Sequence, residues 1–186
     1  MKKTIKVISL MLLFVAVSTA TSTVDAQQLN ARKHGTVKEQ LEQANINNTR
    51  QDQIKEMLDY AFQFRGVRYR SGAAGPKGFD CSGFTSYVFK KFGYNLNRTS
   101  GGQIYDGEKV SRSELQPGDL VFFNGRAIGR RIGHVGIVTE VNKEDNTFKF
   151  IHAACRTGIT ESQSDETYYR RRYMGACRVI AEEETK

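Results

Sequence analysis

Apolar positions recur at helical spacing in two stretches of this chain and at strand spacing in its second half. Ile54, Met57, Leu58, Ala61 and Phe62 mark one helix face, with Asn48 and Thr49 as N-caps before it and Gly66 as a stop after it. Phe84, Tyr87, Val88 and Phe92 mark a second face that begins just after Cys81. Lys90 and Lys91 fall in its last turn and Gly93 ends it. Arg98-Thr99-Ser100 offers a cap for a short helix through Ile104. The period then changes. Residues 120–123 read as a short apolar strand after the turn Gln116-Pro117-Gly118-Asp119. Residues 134–141 and 147–153 read as an antiparallel hairpin about Lys143-Glu144-Asp145-Asn146, and residues 177–180 as a last strand. Helices first and hairpins after predict an α+β fold.

The chain of 186 residues begins with a pattern that does not belong to this fold. Lys2, Lys3 and Lys6 precede a mostly apolar run over residues 7–17, too short to span a bilayer. Val24-Asp25-Ala26 then offers small residues to a signal peptidase. Residues 1–26 are therefore expected to be a secretory signal peptide, and no cysteine near the cut suggests a lipid anchor. Residues 27–48 are polar without an apolar period and read as a linker or a frayed helix. Residues 49–186 remain as one domain, long enough for a core. The formal net charge is +8; losing Lys2, Lys3, Lys6 and Asp25 with the leader takes off two units and leaves +6. A basic secreted domain suits an anionic partner, which charge alone does not identify. The three cysteines and three histidines show no paired zinc spacing, and no phosphate-binding glycine loop or internal repeat is visible.

Chemistry concentrates at Gly78-Phe79-Asp80-Cys81-Ser82-Gly83-Phe84. The glycine-rich stretch 71–78 delivers the chain to a cysteine at the first turn of a helix, where unpaired N–H groups and the macrodipole favour a thiolate. A lone cysteine is more often a buried structural one. A nucleophile also needs a base, and the base an orienter. His34 falls in the polar segment. His134 opens one strand of the predicted hairpin and His152 closes the other, so folding the hairpin brings them together. Each alone reads as an ordinary strand-end histidine; the two meeting downstream of a helix-start cysteine favours catalysis.

Cys81, His134 and His152 in this order resemble the NlpC family of bacterial cell-wall cysteine peptidases. The likeness extends to Arg98-Thr99-Ser100, to Leu115 through Phe123, to Gly133-His134-Val135-Gly136-Ile137-Val138 and to Ile151-His152-Ala153. It implies a papain-like fold, with the nucleophile at the start of a helix packed on an antiparallel sheet. It implies Cys81 as nucleophile, His134 as general base and His152 as its orienter. Tyr69 would stand beside the oxyanion with the Cys81 backbone N–H, and Asp80, Ser82 and Ser100 would line the substrate pocket. No metal or cofactor is implied. The implied substrate is the stem peptide of peptidoglycan, met in the periplasm or outside the cell by a monomer without membrane anchor or nucleic-acid partner. The family most often cuts between D-glutamate and the diamino acid that follows, and some compact members cut the D-alanyl cross-link instead. Arg126, Arg130 and Arg131, just before His134, suit carboxylates of such a substrate and read equally well as a solvated basic loop. The competing readings are a non-catalytic wall-binding module and an acyltransferase on lipids. The chain departs from the family pattern in the separation of His134 from His152 and in Cys155 and Cys177. In an oxidising compartment those two cysteines would either pair as a disulfide between neighbouring strands or stay as free buried thiols.

Overall fold

The computed structural model describes residues 21–125 and 131–180, with side chains from residue 37 onward. Two compact units divide the chain between Asn47 and Asn48. The signal sequence expected over residues 1–26 lies outside the described residues except for 21–26, which are helical. Helix α1 (Thr21–Phe62) runs without a break through residues 27–48 and through Asn48 and Thr49. The two expected caps are therefore interior helix positions. Lys38, Glu39, Leu41, Glu42 and Gln43 are good helix formers, and Gln43 Nε2 donates to Asn47 Oδ1 one turn on, at 3.3 Å.

In the second unit the apolar stripe of α1 is buried at Ile54, Met57, Leu58 and Ala61. The glycine-rich stretch folds as a miniature hairpin of β1 (Ala74–Gly75) and β2 (Gly78–Phe79), followed at once by α2 (Cys81–Lys91). Next come α3 (Ser100–Gln103), β3 (Glu108–Val110), a 3-10 turn at Arg112–Glu114 and β4 (Leu120–Asn124). The long hairpin β5 (Ile132–Asn142) and β6 (Thr147–Ala154) turns where its sequence predicts. β7 (Gly158–Gln163), α4 (Thr167–Arg170) and β8 (Tyr173–Arg178) complete the unit. The strands β3-β8-β4-β5-β6-β7 form one antiparallel sheet in that order. The fold is α+β.

Both faces of this sheet are covered, which is why β4 is buried along its whole length. Strand alternation sends Leu120, Phe122, Val135, Ile137, Ile151 and Ala153 to one core with α1 and α2. It sends Val121, Phe123, Val138, Phe148 and Phe150 to a second core closed by Leu115 and Tyr169.

The disulfide considered for Cys155 and Cys177 does not form; both thiols are free. Cys177 is buried on β8, whereas Cys155 is exposed just after β6. Strands β4 and β5 lie between, so three strand spacings, about 14 Å, separate β8 from β6 before any offset along the strands is added. A disulfide needs its Cα atoms within about 7 Å.

Candidate active site

Cys81 is the first residue of α2, and Asp80 caps that helix by accepting a hydrogen bond from the Gly83 N–H at 2.7 Å. The cap is held from three further sides. Gly72 N–H donates to Asp80 Oδ2 at 3.0 Å, and Arg98 grips both carboxylate oxygens at 3.0 and 2.7 Å. Ser82 Oγ lies 3.4 Å from Asp80 Oδ1 and accepts from Arg98 Nη1 at 3.1 Å. Arg98 lowers the Asp80 pKa against the opposing effect of burial. The motif glycine has a steric reason. A Cβ on Gly83 would lie 2.2 Å from the Ala73 carbonyl oxygen, because the miniature hairpin packs on the first turn of α2. Buried Gln103 ties the same turn to α3: its Nε2 donates to the Ser82 carbonyl at 3.0 Å and its Oε1 accepts from Thr85 Oγ1 at 2.7 Å. Ser100 is buried at the start of α3.

The ladder between β5 and β6 runs from Asn142 opposite Thr147 to Ile137 opposite Ile151. Beyond it β5 continues to Ile132 against β4, while β6 continues against β7. The start of α2 faces β5 there. Cys81 Sγ lies 4.0 Å from the Gly133 carbonyl oxygen, and its thiolate would accept from the Val135 N–H. These two groups flank His134 along the strand. His134 Nε2 and His152 Nδ1 are 2.8 Å apart, with the rings edge to face at 89°. That contact engages the Nε2 side of the His134 ring. On its far side His152 Nε2 lies 3.2 Å from both Ser162 Oγ and Tyr169 Oη.

Gly136 makes room for this pair. It lies on the same side of β5 as His134, and a Cβ there would approach the Phe150 ring to 2.6 Å and His152 Cβ to 3.1 Å. Gly136→Ala is therefore expected to cost about 1–3 kcal/mol of stability through overpacking. Displacing His152 should also lower turnover by about 10-fold or more. Denaturant unfolding and steady-state assays check this, and a variant matching the parent in both would count against it.

Electrostatics leave Cys81 and the two histidines uncharged at rest. Burial pushes the Cys81 thiol up, the Asp80 charge adds to that, and the N–H groups of Ser82, Val135 and Cys81 oppose it. The thiolate expected from the helix start is thus outweighed by burial. Burial also pushes His134 down to about 4, and burial followed by the neighbouring His134 pushes His152 well below 6.5. A neutral imidazole beside a thiol is an empty base able to receive its proton. Tyr69 pairs with Phe79 through a single bridge and stands close enough to Cys81, Asp80 and Cys155 to feel all three. Its phenol rises to about 12, chiefly by burial, and stays protonated as a donor.

The structure thus gathers Cys81, His134, His152, Tyr69, Asp80 and Ser82, with Ser100 at the start of neighbouring α3. Arg131 is exposed, and Arg126 and Arg130 lie outside the described residues. Gln103, Ser162 and Tyr169 escape a reading of the sequence, because each reaches the site from another element and none sits in a chemical motif; Arg98 lies in a stretch that carries the family likeness, but its grip on Asp80 is set by the fold. Among the described residues no group of three His, Cys, Asp or Glu side chains is placed to hold a metal, and no helix is long and apolar enough to cross a membrane.

Residues 66–178 match the NlpC/P60 family. Over 131 residues the chain is 39% identical to the murein DD-endopeptidase MepS/murein LD-carboxypeptidase of Escherichia coli, a match covering 70% of this chain and 65% of that protein. It is 38% identical over 116 residues to the probable endopeptidase NlpC homolog of Haemophilus influenzae, covering 62% and 57%. The fold superposes on the crystal structure of an NlpC/P60 family protein from Bacillus cereus with a TM-score of 0.62 and 27% identity, covering 69% of this chain and 40% of that one. The chain therefore spans less than two thirds of the length of each.

Proposed function

Because this chain belongs to the NlpC/P60 family, we propose that it is a cysteine peptidase that hydrolyses stem-peptide bonds of peptidoglycan. The observation that carries this reading is the seating of Cys81 against β5, where Gly133 and Val135 flank a His134 already hydrogen-bonded to His152. Cys81 Sγ attacks the scissile carbonyl carbon and its proton passes to His134 Nδ1. The Cys81 N–H and the Tyr69 hydroxyl receive the developing oxyanion. The intermediate collapses to a thioester as His134 returns the proton to the leaving amine. Water, deprotonated by His134, then releases the acyl group and restores the thiol. His152 orients His134 throughout. Asp80 already accepts from five donors, which favours a role in holding the start of α2 and positioning Arg98 and Ser82 at the pocket edge. Ser100 is assigned to the pocket by family likeness. The basic leader supports export to the periplasm or beyond, where peptidoglycan lies.

Two bonds compete. The bond between D-glutamate and the diamino acid is the family's commonest. The D-alanyl cross-link is favoured by the name of the Escherichia coli relative, a DD-endopeptidase. Digestion of purified sacculi followed by mass analysis of the muropeptides decides between them. Conversion of cross-linked dimers to monomers identifies the second bond, and monomers truncated after D-glutamate identify the first. No new fragments, or the same fragments from Cys81→Ala, would overturn the enzymatic reading and leave a wall-binding module.

A further inference from the structure

The far side of His152 is built as carefully as the side facing His134. The residue is fully buried, and its Nε2 is met by two hydroxyls, Ser162 Oγ and Tyr169 Oη, each at 3.2 Å. They come from different elements, β7 and α4. The Tyr169 ring is fixed edge-on against Phe123 at 5.2 Å and Phe150 at 4.8 Å. Ser162 and Tyr169 also interact with each other, so the three polar groups close a triangle. We propose that Ser162 and Tyr169 are positioning residues whose hydroxyl oxygens accept the His152 Nε2–H and so permit His134 to become charged during turnover.

The reason lies in proton counting. When His134 takes the Cys81 proton, both of its nitrogens carry hydrogen. Its Nε2–H then points at His152 Nδ1 across 2.8 Å, and only one proton fits between the two atoms. His152 Nδ1 must present a lone pair, so the single proton of this neutral imidazole must sit on Nε2. In a site without solvent that N–H needs an acceptor, and an orphaned buried N–H is costly. The two hydroxyls are the acceptors within reach. Without them His152 would favour the tautomer with its proton on Nδ1, which faces His134 Nε2 and obstructs the charged form. Either hydroxyl suffices for one N–H, so loss of one is partly covered by the other.

The inference rests on His134 as the base, and its test separates the two. In Ser162→Ala and Tyr169→Phe singly, turnover falls by about 3- to 10-fold; in the double variant it falls by about 10²-fold with KM little changed. Ser162→Thr used instead of Ser162→Ala alongside Tyr169→Phe keeps one hydroxyl and recovers most of the double variant's loss. Nitrogen chemical shifts report the tautomer without any assay of hydrolysis: His152 is protonated at Nε2 in the parent and at Nδ1 in the double variant. Alkylation of Cys81 by iodoacetamide slows in parallel. If the parent proves inactive on sacculi, the tautomer and alkylation measurements still decide the proposal. If the double variant does not fold, the tautomer populations of the single variants decide it, a shift toward Nδ1 supporting it and none overturning it. An unchanged His152 tautomer in the double variant, with turnover within about threefold of the parent, overturns it.

Discussion

Cys81→Ser is expected to abolish release of muropeptides, lowering turnover by at least about 10³-fold, while leaving the unfolding midpoint near that of the parent. The substitution keeps the side chain at nearly the same size. Its polar contacts, among them the Gly133 carbonyl at 4.0 Å and the Val135 N–H, are ones a hydroxyl also satisfies. The anchoring of this turn comes from Asp80, Arg98, Gly83 and Gln103 rather than from the sulfur. The chemistry changes much more. A serine hydroxyl has a far higher pKa than a thiol, and a neutral His134 beside it lacks a carboxylate behind it to help. Full-length protein assayed on sacculi, with thermal unfolding alongside, reads both halves. A folded variant that still cuts would remove Cys81 from the reaction, and a variant that unfolds would make the cysteine structural.

The second large effect is a loss of stability in mild acid. His134 is held at about 4 in the folded protein, against 6.5 when exposed, and His152 is held well below 6.5. Below pH 6.5 the unfolded chain therefore binds protons that the folded chain refuses, so stability is full above that pH and falls as the pH drops toward 4. At pH 4 His134 alone costs about 3 kcal/mol, and His152 adds to it. Asp80 acts in a lower window. Its folded pKa is depressed, so its contribution is intact above the unfolded carboxyl value and disappears below it. Urea unfolding between pH 7 and pH 4 should show a steep loss that His134→Gln partly removes. A flat profile would show that the two imidazoles charge freely in the fold. The same depression sets the activity profile: kcat/KM should stay high through pH 6 and fall only toward pH 4, because the base remains neutral until then.

Much of this molecule was legible in its residues. The apolar stripe from Ile54 to Phe62 and the face from Phe84 to Phe92 define helices by period alone, and Asp80-Cys81-Ser82-Gly83 announces a helix start by an acidic residue before the cysteine, small residues after it and the apolar pattern that follows. The hairpin turn at residues 143–146 is a local signal and lies where expected. Other elements were hidden. β7, with the polar sequence Gly-Ile-Thr-Glu-Ser-Gln, becomes a strand because the edge of β6 pairs with it. β8 begins at Tyr173, several residues earlier than its apolar pattern suggests, because it fills the place between β3 and β4.

The inventory of the site follows from the residues alone: one cysteine at a helix start, two histidines on one hairpin, and the order that marks the family. Those follow from local propensity and from residue chemistry. The state of those groups depends on how the chain packs. The packing of α2 on the first part of β5 puts Cys81 against Gly133 and Val135, and burial there raises a thiol that an exposed helix start would have lowered. The sheet order keeps Cys155 and Cys177 apart, so all three thiols are free. The partners that complete the histidine pair, Ser162 and Tyr169, arrive from elements with no motif. Burial and non-local contact set protonation and hydrogen bonding, and neither is written in the spacing of residues along the chain.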